Sequence, residues 1–484
     1  MRHLSKLLLI AGTLVLASCA GSDENGSSPI AKRNYGAIDG TLRVHHKNPR
    51  YFTNNTGKAI YLTGSHSWTN LPNGSVWFGV NARMDFNTYL NYLKTTNHNF
   101  IRLWTADTAS DLSVGGYAET TPYVRRGPGS ALDGRPKFDL AKLDQAYFDR
   151  LRQLVQAARD RGVYVSIMLF NFWGVSGYGN RGPWKGNPYN AANNINGING
   201  DPNGDGRGLE THTGQMPEVT VLQKAYAKKI IDSVNDLDNV LYEISNESDS
   251  SAYEWQNGLI DYIHSYESDK PKRHPVGMTG MNQLSNSALY SSSADWISPY
   301  DGEFVGDSNQ RYSKDPPAGD GRKVIIVDTD HLTNNIQNPM GYGVATHVWV
   351  WKSLTRGLNP IYMDALSSLT GYTRPDWDES GAPGVRLAQG HGLSYASRIN
   401  LVAMVPSGDV SSTGYALADP GSEYLVYQPN DGAFTVNVQA GTYTVEWLNP
   451  SNGEVSGGGA RSIPEGRRVF NPPFDGDSVL YLGR

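Results

Sequence analysis

Val240-Leu241-Tyr242-Glu243-Ile244-Ser245-Asn246-Glu247 is an apolar run that ends in polar and acidic residues. Leu222, Tyr226, Ile230 and Val234 precede it at intervals of four, the spacing of a buried helical face. A helix leading into a short buried strand is half of a βαβ unit, and the pattern recurs on both sides. Upstream, Leu143, Tyr147, Leu151, Leu154, Val155 and Ala158 form a helical face, Gly162 stops it, and Val163 to Phe170 reads as a strand. Before that, Phe100 to Trp104 follows a helical segment around Phe86, Tyr89, Leu90 and Leu93. Ile60 to Thr63 comes first and runs into Gly64-Ser65-His66-Ser67-Trp68. Downstream lie Val276 to Met278, Trp296 to Ser298 and Val324 to Val327, then Pro360 to Met363 behind a tryptophan-rich helix over 348–354. Eight strands alternating with helices predict an α/β fold, a parallel (β/α)8 TIM barrel of the usual ~250 residues plus insertions. A doubly wound sheet is the alternative, but no Gly-rich phosphate loop follows the first strand.

Leu42-Arg43-Val44 and Tyr51-Phe52, around an Asn54-Asn55-Thr56-Gly57 turn, predict a hairpin over the barrel floor, and a helix over 387–401 closes the ring. Beyond about Val405 the period changes to short alternating strands, at Tyr424 to Tyr427, Phe434 to Val438, Tyr443 to Trp447 and Ser478 to Leu482. These predict a small C-terminal antiparallel β-sandwich packed on the barrel. The expected division is 37–402 for the barrel with its hairpin and 403–484 for the sandwich.

Arg2 and Lys6 open the chain, an apolar stretch from Leu7 to Leu16 follows, and Leu16-Ala17-Ser18-Cys19 ends it. The stretch is too short to span a bilayer and reads as a signal peptide over 1–18. It resembles the bacterial lipobox, which implies a lipid on Cys19, the only cysteine of 484 residues. A polar tether over 19–36 follows, and its early acidic pair, Asp23-Glu24, resembles a surface-export signal. The expected place is therefore the outer membrane, facing outward, with membrane contact through the Cys19 anchor. With one cysteine no internal disulfide can form, so the fold rests on its core. The formal net charge of −5 gives no reason to expect a nucleic-acid partner. Tyr 28 and Trp 11 supply the aromatic faces against which sugar C–H surfaces stack.

Barrel chemistry sits at the C-terminal ends of strands. On the fourth, alternation puts Glu243, Ser245 and Glu247 on one face, and two carboxylates there need partners at the barrel axis or mouth. Glu243 suits a structural ion pair; Glu247, at the open end beside Asn246, suits chemistry.

Leu241 to Glu247 resembles the strand-four signature of clan A glycoside hydrolases, of the family 5 type. The resemblance implies that Glu247 is the general acid/base and that Asn246 bonds the hydroxyl beside the reacting carbon. It also implies that Arg102, ending strand two, orients the nucleophile, with His66 and Trp68 at the sugar. The family's strand-seven glutamate is missing: the chain reads Asp328-Thr329-Asp330-His331 there. Either aspartate could be the nucleophile, one could be the base of an inverting enzyme, or Asp328 could pair with Arg102 while Asp330 reacts. Asn171, Trp173, Tyr300 and His331 are further candidate sugar contacts, and Asp107, Asp301, Glu303 and Asp364 also fall at the mouth. Trp184 and Tyr189 would wall a glycan cleft.

Asp201-Pro202-Asn203-Gly204-Asp205-Gly206 has half of a calcium-loop spacing, but position 12 holds His212, and Glu210 comes two residues early. A turn without metal is the expectation, and neither a cofactor nor a catalytic metal is expected. The C-terminal stretches Gly414-Tyr415, Gly441 to Pro450 and Asp475-Gly476-Asp477 resemble a module named a collagen-binding domain, read here as a structural buttress. The expected activity is hydrolysis of a poly- or oligosaccharide by a monomer, with retention of configuration. The alternative is a noncatalytic glycan-binding surface lipoprotein. No His-Glu-x-x-His or Gly-x-Ser-x-Gly motif supports proteolysis.

Overall fold

A computed structural model of the chain describes residues 38–67, 70–72, 84–105, 107–112, 115–176, 183–280, 284–300, 311–332, 346–370 and 381–484. The expected signal peptide and tether, with Cys19, Trp68, Asp301 and Glu303, lie outside the described residues. No described helix is long and apolar enough to cross a membrane.

Eight parallel strands form one sheet: Gly64–His66 (β1), Phe100–Leu103 (β2), Tyr164–Asn171 (β3), Val240–Asn246 (β4), Val276–Thr279 (β5), Trp296–Ser298 (β6), Val324–Asp328 (β7) and Asn359–Met363 (β8). Their order is β1-β8-β7-β6-β5-β4-β3-β2. The two ends meet where the Asn99 N–H donates to Thr63 O at 3.0 Å, which closes the sheet into a barrel. Strand β1 starts at Gly64 rather than at Ile60, because its pairing with β8 begins there. A Cβ at Gly64 would lie 2.2 Å from Phe100 O, so only glycine lets β1 run this close to β2.

Helices Phe86–Thr95 (α1), Gln145–Arg159 (α2), Pro217–Val234 (α3), Tyr253–Glu267 (α4), Asn286–Ser291 (α5), His347–Thr355 (α6) and Ala382–Arg398 (α7) surround it. Helix α2 shows why the sequence folds so. Asp144 caps it by accepting from Ala146 N, and Tyr147, Phe148, Leu151, Leu154, Val155 and Ala158 are buried on one face. Each large apolar side chain so buried contributes roughly 1.5–3 kcal/mol. Leu143, expected in this helix, instead ends a hairpin strand, Pro136–Leu143, that pairs with Tyr123–Ser130.

Inside the barrel, Leu62, Phe100, Tyr164, Leu241, Trp296, Val324, Ile326 and Ile361 form an apolar floor with Leu42 and Phe52. The latter two come from the expected hairpin, Arg43–Val44 with Phe52–Thr53. Its connection is residues 45–51; the Asn54–Gly57 turn follows the second strand and leads to the Phe52↔Ile60 bridge. Gly277 makes room for this floor, since a Cβ there would sit 1.9 Å from the Trp296 ring. Two residues further along a strand is the same face one layer higher. That step leads from Phe100 to Arg102, Leu241 to Glu243, Trp296 to Ser298 and Ile326 to Asp328, so an apolar floor carries a polar layer.

The C-terminal part holds Val405–Pro406 (β9), Ala416–Asp419 (β10), Glu423–Gln428 (β11), Phe434–Val438 (β12), Gly441–Leu448 (β13), Val455–Ile463 (β14), Gly466–Phe470 (β15) and Ser478–Gly483 (β16). Six strands form an antiparallel sheet in the order β9-β10-β11-β16-β13-β14, and β12 pairs with β15 as a second, two-stranded sheet. Alternation divides β11: Tyr424 and Val426 enter the sandwich core, while Leu425 and Tyr427 join the barrel's apolar cluster. Tyr427 stacks on Trp351 of α6, and the Tyr395 hydroxyl on α7 donates to Glu446 at 2.6 Å.

Candidate active site

Arg102 organises the polar layer. Only 1% exposed, it donates from Nε to Glu243 Oε2 at 2.8 Å and from Nη2 to Glu243 Oε1 at 2.5 Å. Nη1 reaches Asp328 Oδ2 at 2.8 Å and Asp330 Oδ2 at 3.2 Å. Nη2 also reaches an Asn246 side-chain atom at 2.7 Å. Guanidinium has no acceptor, so that atom is the amide oxygen. Glu243 and Asn246 are three residues apart, yet both bond to Arg102, so the two-residue alternation expected through Glu247 is lost at the end of β4. Glu247 follows with φ +54, a left-handed conformation that side chains other than glycine rarely adopt and that clusters at functional sites.

Asp328 is fully enclosed. His66 Nε2 lies 3.1 Å from both its oxygens, and the Asp330 N–H donates to Oδ1 at 3.0 Å. The Trp104 indole N–H donates to His66 Nδ1 at 3.2 Å, so the imidazole proton is on Nε2, facing Asp328. Trp104 also stacks against Arg102, whose Cζ lies 5.1 Å from the ring centroid. Burial opposes the charge of Asp328, but His66 and Arg102 outweigh it and hold the carboxyl well below the usual range. Asp330, in a short 3-10 turn after β7, is 9% exposed. Burial pushes its carboxyl up to about 6, with Arg102 offsetting part of the rise and Asp328 adding to it.

Glu247 is partly exposed. Its surroundings raise its carboxyl well above the usual range, first through burial and then through the charge of Asp330, the neighbouring charge that acts on it most. The two carboxyls are thus close enough to interact and are displaced to different degrees, the pattern that separates an acid from a carboxylate.

His331 does not face a ligand. Its Nε2 donates to the amide oxygen of Asn246 at 3.0 Å, and its Nδ1 bonds Ser298 Oγ at 2.8 Å. Burial, then Arg102, lowers its pKa to about 3, so the ring is neutral. Arg102 and His331 together occupy Oδ1 of Asn246, which turns Nδ2 the other way, toward Asn171 Oδ1 at 3.4 Å. His66, Arg102 and His331 therefore hold other site groups in place: His66 and Arg102 bond Asp328, and Arg102 and His331 bond Asn246. Asn171 is also buried, with Oδ1 accepting from Trp173 N at 3.2 Å, while Trp173 itself is partly exposed.

Asp107 accepts from Asn171 N at 2.9 Å and Thr108 N at 2.8 Å, and burial pushes its carboxyl up to about 7. The backbone of Tyr300 is tied to Asn286 on α5, and its hydroxyl makes no hydrogen bond among the described residues. Asp364 is not a mouth group: it is enclosed and paired with Arg386 at 2.6 and 2.7 Å. Trp184 and Tyr189 are buried inside their loop, Trp184 against Gly200 and Gly208 and Tyr189 through a 2.8 Å bond to the Tyr123 hydroxyl, and wall no cleft.

The Asp201 carboxylate accepts from the backbone of Gly204, Asp205 and Gly206 at 2.9–3.1 Å, and Asn203 bonds Glu210. Among the described residues, Asp328, Asp330 and His331 bring potential metal-ligand atoms within 4.8 Å of one another. Arg102 Nη1 already bonds both aspartates and His331 Nε2 is spent on Asn246, so the guanidinium stands where a cation would. Trp104 and Ser298 were missed by sequence reasoning as site residues; both sit at strand ends, the position that flags such residues.

A family model described as a domain of unknown function (DUF6298) matches residues 94–297, which span β2 to β6. No curated protein matches the sequence. Among solved structures, the chain is similar to a glycoside hydrolase at 15% identity, covering 92% of this chain and 97% of that one, with a TM-score of 0.54. It is also similar to a glycoside hydrolase family 5 protein from Bacteroides vulgatus at 14% identity, covering 92% and 94%, with a TM-score of 0.58. At these identities the likeness is one of fold, and it spans barrel and sandwich together.

Proposed function

We propose that the chain hydrolyses a glycosidic bond with retention of configuration, Glu247 serving as acid/base and Asp330 as nucleophile. What supports this is a pair of carboxyls following β4 and β7: Glu247, raised by burial and by the charge of Asp330, and Asp330, bonded by Arg102 at 3.2 Å. Glu247 gives its proton to the leaving glycosidic oxygen while an Asp330 oxygen attacks the anomeric carbon. Glu247, now ionised, takes a proton from water, and the hydroxide displaces Asp330 from the sugar. Asp328 suits the nucleophile poorly, because its oxygens are taken by Arg102, His66 and a backbone N–H. Arg102 steadies the Asp330 anion, and Asn246, its amide fixed by Arg102 and His331, presents N–H donors to a sugar hydroxyl.

Glu247→Gln should abolish turnover on a glycan panel while leaving binding intact; undiminished turnover removes Glu247 from the mechanism. Glu247→Ala with azide tests retention, since azide restores turnover by capturing the glycosyl–Asp330 ester as a glycosyl azide. No turnover by the unaltered chain on any glycan of the panel, with glycan binding kept, would favour the noncatalytic surface lipoprotein. The lipid on Cys19, an outer-membrane address and a monomeric state belong to the same proposal.

A further inference from the structure

On the sandwich, register places two arginines where core residues belong. Arg461 of β14 stands opposite Tyr443, and Arg468 of β15 stands opposite Val436. Tyr443 and Val436 are fully buried in the sandwich core, and directly paired residues share a face. Both arginines therefore start from the inner face, on strands belonging to the two different sheets. The reason there is space is the mismatch of the layers: the second sheet has two strands against six, and β14 is an end strand of the larger one. A cavity of about 360 Å³ opens there, lined among others by Trp447, Ile463, Phe470, Arg461, Arg468 and Asn471.

Arg468 is aimed by its own loop, with Nε donating to Pro464 O at 2.9 Å and Nη2 to Glu465 O. Arg461 makes no hydrogen bond or ion pair among the described residues. Arg461 is exposed and Arg468 partly exposed, so both side chains stay within reach of solvent and of a ligand at the cavity mouth.

We propose that this cavity binds an anionic saccharide, a pyranose bearing a carboxylate or a sulfate. Trp447 and Phe470 offer aromatic surface to the sugar's C–H face, and Asn471 offers an amide to its hydroxyls. Guanidinium forks match planar oxyanions in a bidentate way. The volume lies in the range of small-ligand sites. Inward charges on end strands also guard sheets against edge-to-edge pairing, but that role calls for charge alone, not for an aromatic-lined cavity. The whole chain carries a net charge of −5, so a general electrostatic pull works against an anionic polymer, and binding would have to come from a local site. The inference stands apart from the reading of Glu247.

Affinity electrophoresis of the full chain tests it, in the Glu247→Gln form so that no glycan is consumed. Gels carry polygalacturonate, a sulfated galactan, or neutral mannan. One anionic glycan should retard the protein, and which one does so tells carboxylate from sulfate. Arg461→Gln/Arg468→Gln, with an unchanged Tm, should lose at least tenfold in affinity for that glycan while keeping any retardation by mannan. Equal retardation of the double variant places binding elsewhere and overturns the proposal. So does a lack of retardation by both anionic glycans, including the case where the double variant aggregates, which would leave edge protection as the arginines' role.

Discussion

Asp330→Asn should end hydrolysis and at the same time make the folded chain more stable at neutral pH. In the fold the carboxyl is pushed from the ordinary 3.8 up to about 6, burial being the main cause. Unfolded, it ionises at its ordinary value; folded, it must ionise against burial. The native state thus loses stability as pH rises from about 4 to about 6, and the loss is then complete at roughly 3 kcal/mol. Asparagine never ionises and escapes this loss. The difference between variant and native protein should be near zero at pH 4 and reach about 3 kcal/mol above pH 7. A chain of this size unfolds with an entropy of roughly 1 kcal/mol/K, so the Tm gain is about 3 °C. Asp328→Asn is the opposite case, because His66 and Arg102 favour its anion. Its stabilisation is present above the unfolded value and is lost as pH falls below it. Removing that charge should therefore destabilise by about 3–5 kcal/mol at pH 7, the usual effect of breaking a buried ion pair, with the deficit shrinking in acid. Scanning calorimetry from pH 2 to 8 reads both. A gain for the Asp330 variant that is absent at pH 7.5 or independent of pH refutes the reasoning, as does a more stable Asp328 variant.

Two other outcomes follow from the same geometry. With Asp330 as the reacting anion, kcat/KM should fall tenfold per pH unit below about 6, and the alkaline limb should lie well above the ordinary range of a glutamate, because Glu247 must stay protonated; a plateau reaching down to pH 4 would exclude Asp330 as nucleophile. Asp364→Asn, which breaks the enclosed pair with Arg386, should lower Tm by an amount equivalent to about 3–5 kcal/mol yet leave kcat of the folded protein within twofold, and a selective loss of kcat would return Asp364 to the site.

The barrel was legible because its strands are buried on both faces and so read as continuous apolar runs. Legibility failed where a strand is made of site residues or of glycine. Strand β1 is Gly64-Ser65-His66, whose composition resembles a loop; its neighbour Ile60 to Thr63 looked more like a strand. Strand β14 carries Gly457-Gly458-Gly459 and is mostly exposed, so neither propensity nor alternation marks it. The hairpin of Tyr123–Ser130 with Pro136–Leu143 pairs with irregular register, which erases the two-residue period that would have announced it.

The site shows a different boundary between what order along the chain contains and what it omits. Arg102, Glu243, Asn246, Glu247, Asp328 and Asp330 are all visible as polar residues ending apolar runs. Their roles are not, because roles depend on how one cation's bonds are shared. Arg102 faces three carboxyls, and Glu247 lies beyond them. Glu243 and Asp328 take its bonds of 2.5–2.8 Å, leaving Asp330 a single one at 3.2 Å. Asp328 gains His66 and a backbone N–H as well and keeps its charge. Asp330, less well answered, ionises only near 6, and its charge in turn helps keep Glu247 protonated. A graded supply of hydrogen bonds from one guanidinium thus orders the carboxyls, so that the two nearest solvent become one anion and one acid. Removing the Asp330 charge should for that reason lower the pKa of Glu247, and a Glu247 that titrates identically in Asp330→Asn, followed by infrared difference spectroscopy of its carboxyl band, would show that the two are not coupled.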